Sequence, residues 1–116
     1  MFVPCGRSAN DNKTGEKVAI KKVPRAFDDL IDAKRILREI KLLRHFTHEN
    51  VIALKDILKP ASLDDFEDVY IISDLMETDL HRIIYSKQRL SDDHVQYFVR
   101  VGLRGGGVGR YVLRYA

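Results

Sequence analysis

Two residues have types and a spacing that could do chemistry together. Lys21 sits in Lys17-Val18-Ala19-Ile20-Lys21-Lys22-Val23, and Glu39 follows eighteen residues later in Arg38-Glu39-Ile40. A lysine held by a carboxylate keeps its charged amine in one place, where the oxygens of a phosphate chain could reach it. Such an amine neutralises phosphate charge. It does not by itself break a bond.

For the pair to meet, one residue must stand on a strand and the other on a helix packed over it. Val18 and Ile20 alternate with Ala19 and Lys21 in a short β-branched run, which predicts a half-buried strand. From Asp32 to Phe46 the period changes. Ala33, Ile36, Leu37, Ile40 and Leu43 recur at helical spacing, while Lys34, Arg35, Arg38, Lys41 and Arg44 fill the other face. Glu39 is three residues after Ile36 and four before Leu43, so it lies at the edge of the apolar stripe. Asp28, Asp29 and Asp32 suit the positive end of that helix. Val51–Leu58 and Val69–Ser73 are two further strand candidates, joined by the acidic loop 60–68. The expected fold is α+β, three antiparallel strands against one helix.

V-A-I-K followed by R-E-I-K is a protein-kinase signature, in which the strand lysine pairs the α/β-phosphates of ATP and a helix glutamate. The chain resembles a MAP kinase of the extracellular-signal-regulated type from about Ser8 to about Phe98. The resemblance is carried by Thr14–Lys22, Leu37–Leu43, His48–Ile52, Asp74–His81 and Ser91–His94, in family order. It implies most of a kinase small lobe over 14–73, a hinge over 74–79 and the first two helices of a large lobe over 80–100, an incomplete kinase-like fold. It also implies that Lys21 and Glu39 are the catalytic ion pair. Ser73 would limit access behind the adenine, the backbone of Asp74 and Met76 would hydrogen-bond its edge, and Asp79 would meet the ribose. Plain core packing remains the alternative for Leu75 and Met76. Leu90, His94 and Tyr97 match positions of a groove that receives docking peptides. Protein substrates and upstream kinases are the implied partners, and ATP with Mg²⁺ the implied cofactors.

The parts of a phosphoryl-transfer site are a glycine loop over the phosphates, the Lys–Glu pair, an H-R-D base with its asparagine, and a D-F-G aspartate on Mg²⁺. Only the second is present in these 116 residues. Gly6 alone does not make G-x-G-x-x-G, so residues 1–13 read as a divergent start without the glycine loop and without the family's first strand. Asp92 and Asp93 sit at a helix start, for which Ser91 is a good N-cap, away from the nucleotide side of the implied hinge, and cannot replace the missing acids. ATP binding is therefore expected to be weak or absent, with the Mg²⁺ site missing and no catalysis. A regulatory module that competes for MAP kinase partners is the alternative, and an enzyme completed by a second chain is a third reading.

Residues 101–116 depart from the resemblance. Gly105, Gly106, Gly107 and Gly109 together oppose a helix by roughly 4 kcal/mol, at about 1 kcal/mol each. The expectation is a helix that ends around Val101–Gly105 and a poorly ordered Gly/Arg-rich tail, such as a frameshift or unspliced intron would produce. The tail follows no strand and opens no helix, which argues against a nucleotide loop. His45 and His48 form an H-x-x-H, but no cysteine cluster accompanies it, so they read as histidines near the helix end rather than zinc ligands.

Composition sets outer limits. With 45% hydrophobic and 32% charged residues the chain is that of an ordinary globular domain. A net charge of +3, with acids and bases interleaved as far as Asp93, gives no reason to expect nucleic acid or membrane as partner. Cys5 is the single cysteine, which excludes an internal disulfide and fits a reducing compartment, cytoplasmic or nuclear.

Overall fold

The structure, a computed structural model, describes residues 5–76, 78 and 80–104. Its elements run β1 (Cys5–Asn10), β2 (Lys17–Val23), α1 (Leu30–His45), β3 (Leu54–Ile57), β4 (Val69–Asp74), α2 (Leu80–Ile84) and α3 (Asp92–Arg104). They divide into two compact units. One comprises the chain up to Phe46 with Ala53–Leu75, and the other Thr47–Ile52 with the residues from Met76 onward.

The first unit is a four-stranded antiparallel sheet of order β1-β2-β4-β3 with α1. Three strands were expected, and the fourth is β1. Its Gly6-Arg7-Ser8-Ala9 core lacks β-branched residues, so propensity does not announce it. Pairing with β2 imposes the strand instead, from Cys5 opposite Lys22 to Asn10 opposite Lys17. The hairpin is tied by the Asp11 N–H donating to the Glu16 carbonyl (2.8 Å) and the Gly15 N–H donating to the Asp11 carbonyl (2.7 Å). Gly15 takes φ +73°, a conformation glycine adopts without steric cost. The small-lobe boundary expected at residue 14 thus falls inside this hairpin.

Helix α1 begins because Asp29 caps it. One carboxylate oxygen, Oδ1, accepts the N–H groups of Ile31 (2.7 Å) and Asp32 (3.2 Å). At the other end the Phe46 N–H donates to the Leu42 carbonyl. The core between helix and sheet is Val23, Ala26, Val69 and Ile71, with Ile36, Ile40, Leu54, Ile57 and Phe66 packed around it. Strand register explains the choice of residues. Val23 opposes Val69 and Lys21 opposes Ile71, and the period of two puts this set on the face toward α1.

Strand β3 is shorter than the Val51–Leu58 run predicted, and its pairing with β4 shifts register between Leu54 and Asp56. Val51 and Asn50 are buried in the second unit instead. In that unit α3 runs through Gly102 to Arg104, within the Val101–Gly105 range where its end was expected. Buried Val101 holds the turn, and one glycine costs only about 1 kcal/mol. The tail from residue 105 lies outside the described residues. No helix among them is long and apolar enough to cross a membrane.

Candidate functional site

Strand β2 and helix α1 carry the two residues singled out by spacing, and the fold brings them together. Lys21 Nζ donates to Glu39 Oε1 at 2.6 Å, with both side chains about three-quarters shielded. The contact follows from the register just described. Lys21 stands on the α1-facing side of β2, two residues before core Val23. Glu39 is the helical neighbour of Ile36 and Ile40, which pack on that core. The ammonium is thus fixed by a charge-assisted bond while part of it stays open to solvent.

Ser73 shares that face. It opposes Ala19 on β2, so it stands two positions from Lys21 in the paired register. Its hydroxyl is small and half-buried, and it donates to the Asp74 carbonyl at 3.4 Å. Asp74 opposes Val18, and its side chain turns to the opposite face of the sheet. There Lys55 lies between two carboxylates, close to Glu16 of the β1–β2 hairpin and 3.5 Å from Asp74 Oδ1. The hydrogen bond to Glu16, reinforced by the charges of Glu16 and Asp74, holds the Lys55 amine above its usual range. This three-residue bridge fastens the hairpin, the β3 bulge and the end of β4. Sequence reasoning missed it, since Lys55 reads only as the polar member of an alternating strand.

A second clamp holds the connection between β2 and α1. Asp68 Oδ1 accepts the Arg25 N–H at 2.9 Å, and its Oδ2 meets Lys22 Nζ at 3.0 Å. These contacts hold the Asp68 carboxyl below the usual carboxylate range, the backbone bond most of all. Arg25 has φ +46°, in the left-handed region, and this bond together with that of the Ala26 N–H to the Glu67 carbonyl (2.8 Å) keeps it there. The acidic loop between the last two strands, which the sequence suggests is a plain connection, is thus the support under the helix start.

Met76 is half-buried and belongs to the second unit, whereas Asp79 lies outside the described residues. Leu90 is half-buried, and His94 and Tyr97 are exposed on α3 three residues apart. His94 has a further task. Its Nδ1 accepts the Ser91 N–H at 3.1 Å while the Ser91 hydroxyl accepts the His94 N–H at 3.3 Å, a reciprocal cap at the start of α3. The Tyr97 ring meets Phe98 edge-on at 6.0 Å. His45 proves to be the last residue of α1, packed edge-on to Phe46, and His48 Nδ1 accepts the Asn50 N–H at 3.0 Å. Among the described residues no three potential metal ligands come together.

Comparison with known proteins agrees with this geometry. Residues 5–105 match the protein kinase domain family. Over 98 residues the chain is 70% identical to Extracellular signal-regulated kinase 1 of Dictyostelium discoideum, covering 84% of this chain and 18% of that protein. It is 62% identical to Mitogen-activated protein kinase 6 of rice, Oryza sativa subsp. japonica, and 60% identical to Mitogen-activated protein kinase 4 of Arabidopsis thaliana. Each of these two alignments covers 84% of this chain and 26% of the relative. The chain therefore spans about a quarter or less of the length of these relatives.

Proposed function

The chain belongs to the protein kinase family, with MAP kinases among its relatives, and on that premise we propose that these 116 residues form a nucleotide-gripping portion of a MAP kinase that does not transfer phosphate unaided. The observation that carries this reading is the Lys21–Glu39 bond of 2.6 Å. It presents a fixed, partly open ammonium beside the strand that ends in Ser73 and Asp74. By resemblance, Lys21 would meet the α/β-phosphate oxygens, Ser73 would stand behind the base, and the backbone of Asp74 and of Met76 would be assigned to its edge. Asp79 is assigned to the ribose by resemblance. When bound, ATP would supply the transferable phosphoryl group. This chain's own residues bind and orient it.

Two sequence facts limit the strength of that grip. These 116 residues contain no G-x-G-x-x-G to cover the phosphates and no H-R-D or D-F-G to place a base or hold Mg²⁺. Affinity for ATP is therefore about millimolar or weaker, a binding free energy near 4 kcal/mol. Titration calorimetry tests this. A weak signal abolished by Lys21→Met supports the reading, whereas micromolar affinity, or affinity indifferent to Lys21, overturns it.

Leu90, His94 and Tyr97 support a docking role in the same framework. His94, engaged through Nδ1 in the Ser91 cap, and Tyr97 are both exposed and lie three residues apart on one helix face. By resemblance, the opposite wall of such a groove comes from a part of the kinase fold beyond these residues. Docking peptides of upstream kinases or substrates bind at least about a hundredfold more weakly here than in a complete kinase, roughly 2.7 kcal/mol. Undiminished affinity that vanishes with His94→Ala or Tyr97→Ala would instead favour a regulatory module that competes for MAP kinase partners.

A further inference from the structure

Strand β3 meets β4 through an irregularity that falls on one residue. Leu54 opposes Ser73 and Asp56 opposes Ile72, so two steps on β3 match one on β4 and Lys55 is the extra residue. A bulge of this kind re-aims the side chain it carries. Here it brings the Lys55 amine to 3.5 Å from Asp74 Oδ1 and into contact with Glu16 Oε2. Asp74 is the last residue of β4. In the strand register it is paired with Val18 of β2, whereas the pairing with β3 ends one position earlier, at Ser73. Lys55 thus extends the hold of β3 to the end of β4. The Asp74 side chain is the most shielded of the three, 17% exposed against 29% for Lys55 and 60% for Glu16.

We propose that Lys55 is a positioning residue that sets base selectivity: it holds Asp74 so that the Asp74 backbone carbonyl accepts the amino group of adenine and rejects guanine. This inference rests on the nucleotide reading above and deepens it. Adenine carries an amino donor where guanine carries a carbonyl acceptor. A carbonyl fixed beside that edge of the base bonds the first and repels the second. A carbonyl free to turn away with its peptide loses the difference, because the buried acceptor that penalises the wrong base is no longer in place. Ser73 leaves the carbonyl usable, since its hydroxyl donates there at only 3.4 Å and a carbonyl oxygen has two lone pairs. Lys55 acts through the Asp74 side chain, on the face of the sheet opposite Lys21.

The test uses the whole chain, titrated with ATP and with GTP and followed by amide NMR shifts. The wild type should favour ATP by about tenfold, the worth of one good hydrogen bond. Lys55→Met should reduce that preference at least about fivefold, mainly by weakening ATP, and Lys55→Arg should retain it. Lys21→Met should weaken both nucleotides alike, since they share the phosphates. The Leu75 N–H belongs to the same peptide as the Asp74 carbonyl, so its hydrogen exchange should speed up in Lys55→Met while that of core Ile71 stays unchanged. Faster exchange at Ile71 as well would make Lys55 a general stabiliser and overturn the proposal. So would equal affinity of the wild type for the two nucleotides. An ATP preference that survives in Lys55→Met, while Lys21→Met still weakens both nucleotides, overturns the proposal and leaves the nucleotide reading standing. Binding indifferent to Lys21 overturns the nucleotide reading, and this proposal with it.

Discussion

Asp68 accepts the backbone N–H of Arg25 at 2.9 Å, a bond that spans 43 residues of sequence and joins the loop before β4 to the turn before α1. The same carboxylate meets Lys22 at 3.0 Å on β2. Three segments therefore depend on one side chain being ionised. The helix that carries Glu39 starts a few residues beyond that turn, so the clamp also helps set the site.

Acid should loosen the clamp. The Arg25 N–H and then Lys22 depress the folded-state pKa of Asp68 below its ordinary value. Between the folded and unfolded values the unfolded chain binds more protons, so stability rises with pH there. The contribution is fully present above the unfolded value, about 3.9, and is lost as pH falls through the folded one. Urea midpoints followed from about pH 6 to pH 2 should fall, and Asp68→Asn should flatten part of that fall. Asp11, also depressed, chiefly by the Lys13 N–H, accounts for a further part. Identical profiles for wild type and Asp68→Asn would contradict the assignment.

Ile71 is 2% exposed and lies at the centre of the first unit's core. Ile71→Ala should cost about 2–5 kcal/mol and Ile71→Val about 1 kcal/mol, from lost transfer energy and the cavity left behind. With a core this small, the alanine variant should lose its cooperative urea transition near room temperature. A midpoint shifted no further than for the valine variant would place Ile71 outside the core.

The cap of α1 gives a smaller and more local effect. Asp29→Ala removes the acceptor of the Ile31 and Asp32 N–H groups and should cost about 1 kcal/mol. Asp29→Asn keeps an oxygen there and should retain most of it. Urea denaturation of the two variants together with amide exchange at Ile31 separates loss of the cap from a global effect.

Glu39→Gln should separate stability from function. A partly exposed ion pair contributes at most about 1 kcal/mol, so the urea midpoint should scarcely move. The weak heat of ATP binding should fall, because the Lys21 amine is no longer held in position. A loss above about 3 kcal/mol, the range of breaking a buried pair, would make the pair a core element instead.

The strand at Lys17–Val23 and the helix from the Asp28–Asp32 region to Phe46 were legible in the sequence because their apolar periods differ. The Lys21–Glu39 pairing was legible because both lie at fixed offsets from those stripes, and it meets at 2.6 Å. Local periodicity and capping chemistry suffice for such features, as they do for Ser91 before α3. β1 was not legible. Gly6–Ala9 has no strand preference of its own and becomes a strand only through pairing with β2. The Lys55 bridge to Glu16 and Asp74 and the Asp68 clamp to Arg25 were equally hidden, since each joins residues far apart in the chain. A charge pattern shows which side chains can pair. Which of them do is decided by sheet register and by the turn that brings each loop back, and those exist only once the chain has folded.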